Sequence, residues 1–141
     1  MLGKHKIIAL LTDFGLKESS VAAMKGTILS ICPEAKIIDI SHEIPLFDVR
    51  HGAFVLASAA PYFPKGTIFV GVVDPGVGTE RRGIVLETEN YLAVGPDNGL
   101  FSLLMDRDGV RSVYEIRNED LMLEKKTHTC LLYTSPSPRD S

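Results

Sequence analysis

The chain has 141 residues, enough for one domain with a real core but short of two. Hydrophobic residues make up 45% and charged ones 23%, and a net charge of -3 without a basic cluster gives a nucleic-acid partner no electrostatic footing. No apolar run approaches the roughly 20 residues that cross a bilayer, and the first one ends at Asp13 with no small-residue cleavage pattern, so neither a membrane span nor a signal peptide is expected.

Residues 6–12 (KIIALLT) form a short apolar run that predicts a strand, and Asp13-Phe14-Gly15 follows it at once. Ser19 or Ser20 is placed to cap a helix, in which Val21, Met24, Ile28 and Ile31 recur at helical spacing until Pro33 stops the pattern. Gly26 within it costs about 1 kcal/mol relative to Ala, and close approach to a sheet is one reason to keep it. Residues 36–40 (KIIDI) predict a second strand, and residues 41–45 (SHEIP) lead away from it. A second helix begins at Phe47 or Asp48, with Val49, Ala53, Leu56 and Ala60 as its apolar stripe and Pro61 and Pro64 beyond its end.

Residues 67–79 (TIFVGVVDPGVGT) are the stretch around which the chain is organised. Ile68, Phe69, Val70, Val72 and Val73 read as a strand covered on both faces, and Asp74 stands where that strand leaves the sheet. Pro75, Gly76 and Gly78 then open a turn whose backbone N–H groups are accessible. Residues 83–88 (GIVLET) and 91–94 (YLAV) flank Glu89-Asn90 as a hairpin. A second irregular loop, GPDNG, precedes a short helical stretch around residues 100–105. Asp108-Gly109 turns the chain into a last strand at residues 112–116. This order predicts an α/β layered domain, with helices covering a mainly parallel sheet.

Residues 130–141 break with the pattern: Pro136 and Pro138 forbid regular structure there, and one reverse translation of residues 130–140 yields a sequencing adapter. The expected organisation is one α/β domain at residues 1–129, truncated, and a non-native tail at 130–141. With Cys130 in that tail, Cys32 is left without a disulfide framework, which favours the cytoplasm.

Asp13 and Asp74 each end an apolar run. In an open α/β sheet ligands bind outside the carboxyl ends of the strands, so both carboxylates are expected on one rim. The plainer reading makes Asp13 a helix cap and Asp74 a turn residue. A dinucleotide site is excluded, because Gly76-x-Gly78 lacks the third glycine and leads into another strand. Asp39, His42, Glu43, His51 and Asp74 show no metal-ligand spacing, and His42, Glu43 and His51 are read as solvated or capping residues.

Taken together, TDFG, SVAAMKG, IIDISHEI, FDVRHGAFVLA, FPKGTIFVGVVDPGVGT-x-RR and VGPDNGL resemble the N-terminal domain of the S-adenosyl-L-methionine (SAM) hydroxide adenosyltransferases. These SAM hydrolases are related to the SAM-dependent chlorinases and fluorinases. The resemblance runs from about Ile7 to about Leu123. It implies attack of water or hydroxide on the ribose C5′ of SAM, giving adenosine and methionine, with SAM as substrate and no cofactor or metal. It also implies that Asp74 and Arg81 hold the water and that Asp13 grips the ribose. Phe14, Phe47, Pro75, Val77 and Asn98 are then expected against the substrate. The lesser alternative for Arg81 and Arg82 is a pair of solvated charges at a strand edge.

The family's His lies in a TFHGRD-like segment that would begin near Thr129, and His128 is not that residue. The family's C-terminal β-barrel, which completes the adenine site across a trimer interface, is not present in this sequence. The parent is therefore expected to be a cytoplasmic homotrimeric hydrolase, and this fragment to be inactive. The short span from Arg82 to Gly95, and Asp74 where the fluorinase has a Tyr, favour hydrolysis over halide transfer. A non-catalytic nucleoside-binding module is the alternative.

Overall fold

In the computed structural model, which describes residues 6–75 and 83–116, six strands form one sheet with helices on both faces. The elements are β1 (Ile7–Thr12), α1 (Ser20–Ile31), β2 (Lys36–Ser41), α2 (Val49–Ala59) with a 3-10 turn at Ala60–Tyr62, β3 (Ile68–Val72), β4 (Gly83–Thr88), β5 (Leu92–Pro96), α3 (Ser102–Asp108) and β6 (Val110–Ile116). The sheet order is β2-β1-β3-β5-β4-β6. The first four strands in that order run parallel, and β4 is antiparallel to both β5 and β6. The expected α/β class, mainly parallel sheet and hairpin are all present.

Alternation along β1 and β3 divides the interior into two cores. Ile8, Leu10, Ile68, Val70 and Val72 face α1, where they meet Met24 and Ile28. Ala9, Leu11, Phe69 and Val73 face the other way, toward Leu56 of α2 and Leu104 of α3. Every residue of β3 is buried, because a central strand with helices above and below has no solvent face. Phe69 anchors the second core through edge-to-face contacts with Phe63 and Tyr91, at centroid distances of 5.4 and 5.1 Å.

Two glycines let the chain fold tightly beneath the rim of the sheet. A Cβ on Gly71 would meet Leu100 Cδ2 at 2.7 Å, and one on Gly95 would run into the carbonyl oxygen of Gly71. Leu100 and Phe101 fill the space those side chains would occupy, which draws the loop after β5 down against β3.

Three local expectations are corrected. Ser19 stands at the N-cap of α1, but neither it nor Ser20 supplies a side-chain capping bond. Gly26 has nothing within 4 Å of a built Cβ and is exposed, so no close approach to the sheet explains it. Cys32, buried at the end of α1, is disulfide-bonded rather than outside any disulfide. The tail at 130–141 also lies outside them. No helix among the described residues is long and apolar enough to cross a membrane.

Candidate active site

All four parallel strands deliver their carboxyl ends to one edge of the sheet. β1 leads into Asp13, β2 into His42, β3 into Asp74 and β5 into Asn98. Thr12 pairs with Val72, and the Asp13 N–H donates to the Val72 carbonyl at 3.3 Å, so the ends of β1 and β3 are level. The chain passes from β1 to β2 on one side and reaches β3 on the other. The crevice between β1 and β3 is therefore the point where the winding reverses, the place where open α/β sheets bind ligands. Asp13 and Asp74 flank it.

Asp74 is only 5% exposed. Beside it the Asn98 amide donates from Nδ2 to the Val73 carbonyl at 2.8 Å and reaches Asp74 Oδ1 at 3.5 Å. Asn98 Oδ1 in turn accepts the Leu100 N–H at 3.1 Å, which fixes which way the amide faces. The loop after β5 is thus stitched to the end of β3 at the carboxylate. Pro75 follows on the surface. Arg81 and Val77, both expected at the site, lie outside the described residues.

Asp13 is held from above by a strained residue. Its Oδ2 accepts the Phe47 N–H at 2.7 Å. Phe47 adopts φ +64°, a left-handed conformation that costs a bulky side chain on the order of 1–3 kcal/mol, and its side chain remains 49% exposed. Directly after it, Asp48 caps α2 by accepting the His51 N–H at 3.0 Å, so the helix start anchors the loop that bears Phe47. Phe14 lies partly buried against the α1-side core. The expected site residues Asp13, Phe47, Asp74 and Asn98 therefore converge on one rim, with Phe14 just below it. A groove of about 920 Å³ between α2 and α3, walled by His51, Phe54 and Ser102 among others, opens beside Asn98.

Sequence reasoning misread His42. Expected in solvent or at a cap, it is 3% exposed and lies between Thr12 and Asp39. The signal available was its place three residues after Asp39, just past the end of β2. Burial pushes the Asp39 carboxyl up, but hydrogen bonds from Lys25 and His42 more than offset that and hold it below the ordinary carboxylate range. Glu43 and His51 are exposed, as expected. Among the described residues no three His, Cys, Asp or Glu side chains are grouped so as to hold a metal ion.

The model of the SAM hydroxide adenosyltransferase N-terminal domain matches residues 8–132. An (R)-S-adenosyl-L-methionine hydrolase of Methanocaldococcus jannaschii is 52% identical over 118 residues, which cover 80% of this chain and 44% of that protein. A fluorinase of Nocardia brasiliensis is 29% identical over 150 residues, covering 90% of this chain and 50% of that one. The crystal structure of an uncharacterized conserved protein from Thermotoga maritima superposes with a TM-score of 0.78 at 44% identity, across 81% of this chain and 44% of that one. The chain spans half or less of the length of these relatives. With the strand-end carboxylates, the stitched loop and the matched domain in agreement, the chain belongs to the SAM hydroxide adenosyltransferase family, of which it carries the N-terminal domain.

Proposed function

We propose that the full-length protein hydrolyses SAM to adenosine and L-methionine, and that this chain supplies the residues that hold the ribose and the attacking water. The observation that carries the reading is the pair Asp13 and Asp74 on either side of the β1/β3 switch point. Water or hydroxide forms a bond to C5′ as the C5′–S bond breaks. The electron pair of that bond passes to sulfur, so the sulfonium leaves as the neutral thioether of methionine. No acid is needed at such a leaving group, and catalysis rests on aligning the nucleophile and excluding bulk water.

Asp74, buried at the rim, orients the water and takes its proton, with Arg81 donating to the carboxylate. Asp13 accepts from the ribose hydroxyls. Its Oδ2 is set by Phe47, and among the described residues Oδ1 receives no protein hydrogen bond. Phe14, Phe47, Pro75 and Val77 frame the nucleoside, and Asn98 lies toward the methionine end while it steadies Asp74. SAM is the substrate and no cofactor enters. The family's third water-holding group, a His, and its C-terminal barrel would come from the remainder of a homotrimeric protein. Hydrolysis is favoured over halide transfer because identity to the hydrolase of M. jannaschii is 52% against 29% to the fluorinase of N. brasiliensis.

In the full-length protein, Asp74→Asn should lower adenosine release from SAM about 10²- to 10⁴-fold, the usual range for loss of a general base, with SAM affinity nearly unchanged. Undiminished turnover would remove Asp74 from the mechanism. A wild-type protein that binds SAM and releases no adenosine would support the binding module instead.

A further inference from the structure

We propose that His42 is a positioning residue that sets the Asp13 turn for ribose recognition, an inference that rests on the role given to Asp13 above. The turn from Thr12 to Gly15 is tied to His42 at both ends. His42 Nδ1 lies 2.8 Å from Thr12 Oγ1, and the His42 carbonyl accepts the Gly15 N–H at 2.7 Å. Thr12 Oγ1 also accepts the Phe14 N–H at 3.1 Å. Asp13 and Phe14 are the two residues between these attachments, and the Asp13 carboxylate accepts the Phe47 N–H.

The Asp39 carboxylate can only accept, so Nε2–H donates to Asp39 Oδ1 at 2.8 Å. In the neutral ring Nδ1 then carries no proton and accepts from the Thr12 hydroxyl, whose oxygen accepts the Phe14 N–H. The second Asp39 oxygen accepts Lys25 Nζ, also at 2.8 Å. The neutral imidazole with its proton on Nε2 satisfies every member of the chain, from the Phe14 amide to the Lys25 ammonium. Thr12 and His42 are both buried, so water cannot take the place of either partner. A carboxylate that must meet two vicinal hydroxyls tolerates little displacement, and His42 limits it by holding the backbone on each side.

The two ring nitrogens can be tested separately. An Asn side chain reaches the place of Nδ1 and keeps an acceptor for Thr12, whereas Gln reaches the place of Nε2 and keeps only the bond to Asp39. The readout is the ratio of dissociation constants for 2′,3′-dideoxyadenosine and adenosine, measured on the full-length protein beside its thermal midpoint. Wild type should prefer adenosine about 10- to 100-fold, the range for hydrogen bonds to a charged group. His42→Gln and Thr12→Val should lose most of that preference, and His42→Asn should retain it at comparable stability. Retention of the full preference by His42→Gln and Thr12→Val would overturn the proposal while leaving the role of Asp13 intact. So would a preference that follows the thermal midpoint across all three variants. Absence of any preference in wild type would overturn the ribose role of Asp13 and this inference with it.

Discussion

Asp108, the last residue of α3, and Asp13, in the turn after β1, stand at opposite ends of the sheet, and their carboxylates are spent differently. Asp108 closes α3 and takes the Asn90 N–H on Oδ2 at 2.8 Å and Asn90 Nδ2 on Oδ1 at 2.6 Å. Both oxygens are thereby committed to the β4–β5 hairpin turn. Among the described residues Asp13 takes one side-chain bond, on Oδ2, and the residue that donates it is held in the left-handed region to do so. One carboxylate is a clamp made with ordinary turn geometry. The other is aimed: among the described residues its second oxygen receives no donor, and the backbone strain that aims it sits at Phe47. Such strain persists only where the surroundings over-determine it, here through the α2 cap at Asp48 and the bond to Asp13.

The comparison can be broken most forcefully at the backbone beneath the rim. Gly95→Ala should destabilise the domain by about 3 kcal/mol, since its Cβ meets a carbonyl and the Phe101 ring rather than a side chain that can swing away. A thermal or denaturant midpoint unchanged by that substitution would show that β3 and β5 can part. The carboxylates come next. Asp108→Ala should cost about 2 kcal/mol of stability by stranding both Asn90 donors, with nucleoside affinity of the full-length protein untouched. Asp13→Ala should do the reverse: adenosine binding about 10- to 100-fold weaker, with a smaller loss of stability than Asp108→Ala. If both variants lose stability alike and neither changes affinity, the distinction between clamp and aimed group is lost.

Acid titration sharpens the same contrast. Burial raises the Asp108 carboxyl, but hydrogen bonds from Thr88 and Asn90 outweigh it and leave the group below its ordinary 3.8. A carboxylate depressed on folding contributes stability that is complete above its unfolded value and is lost as pH falls through the folded one. The gap in thermal midpoint between wild type and Asp108→Asn should therefore be constant near neutrality and narrow below about pH 4. A gap that widened on acidification would contradict the clamp. The smallest effect is a gain: Gly26→Ala should stabilise by about 0.5–1 kcal/mol, because the helix interior there is open and exposed. A loss on that substitution would mean that an unseen partner approaches α1 at this point.

The sequence carried the elements and two of the site's carboxylates for local reasons. An apolar run with no polar interruption must be a covered strand, and an Asp directly after it must stand at the sheet edge, so Asp13 and Asp74 were legible without coordinates. Asp48 was legible as a helix start, and Glu89-Asn90 as a hairpin turn. His42 was not. A polar side chain just beyond a strand has the same pattern whether it points to water or folds inward, and its fate depends on a Thr 30 residues earlier. Nor do residues 41–45 announce that Phe47 will leave the right-handed region, since its partner Asp13 is 34 positions away.

Strand, helix and turn identity thus came from periodicity and from the chemistry of Pro, Gly and Asp, because those energies are settled among neighbours in the chain. The order of the strands decided the rest. It brought Asn98 onto Val73 across 25 residues, packed β5 against β3 so closely that Gly95 admits no side chain, and gathered four loops around one crevice. Those contacts join segments far apart in sequence, and their energies exist only once the sheet has assembled.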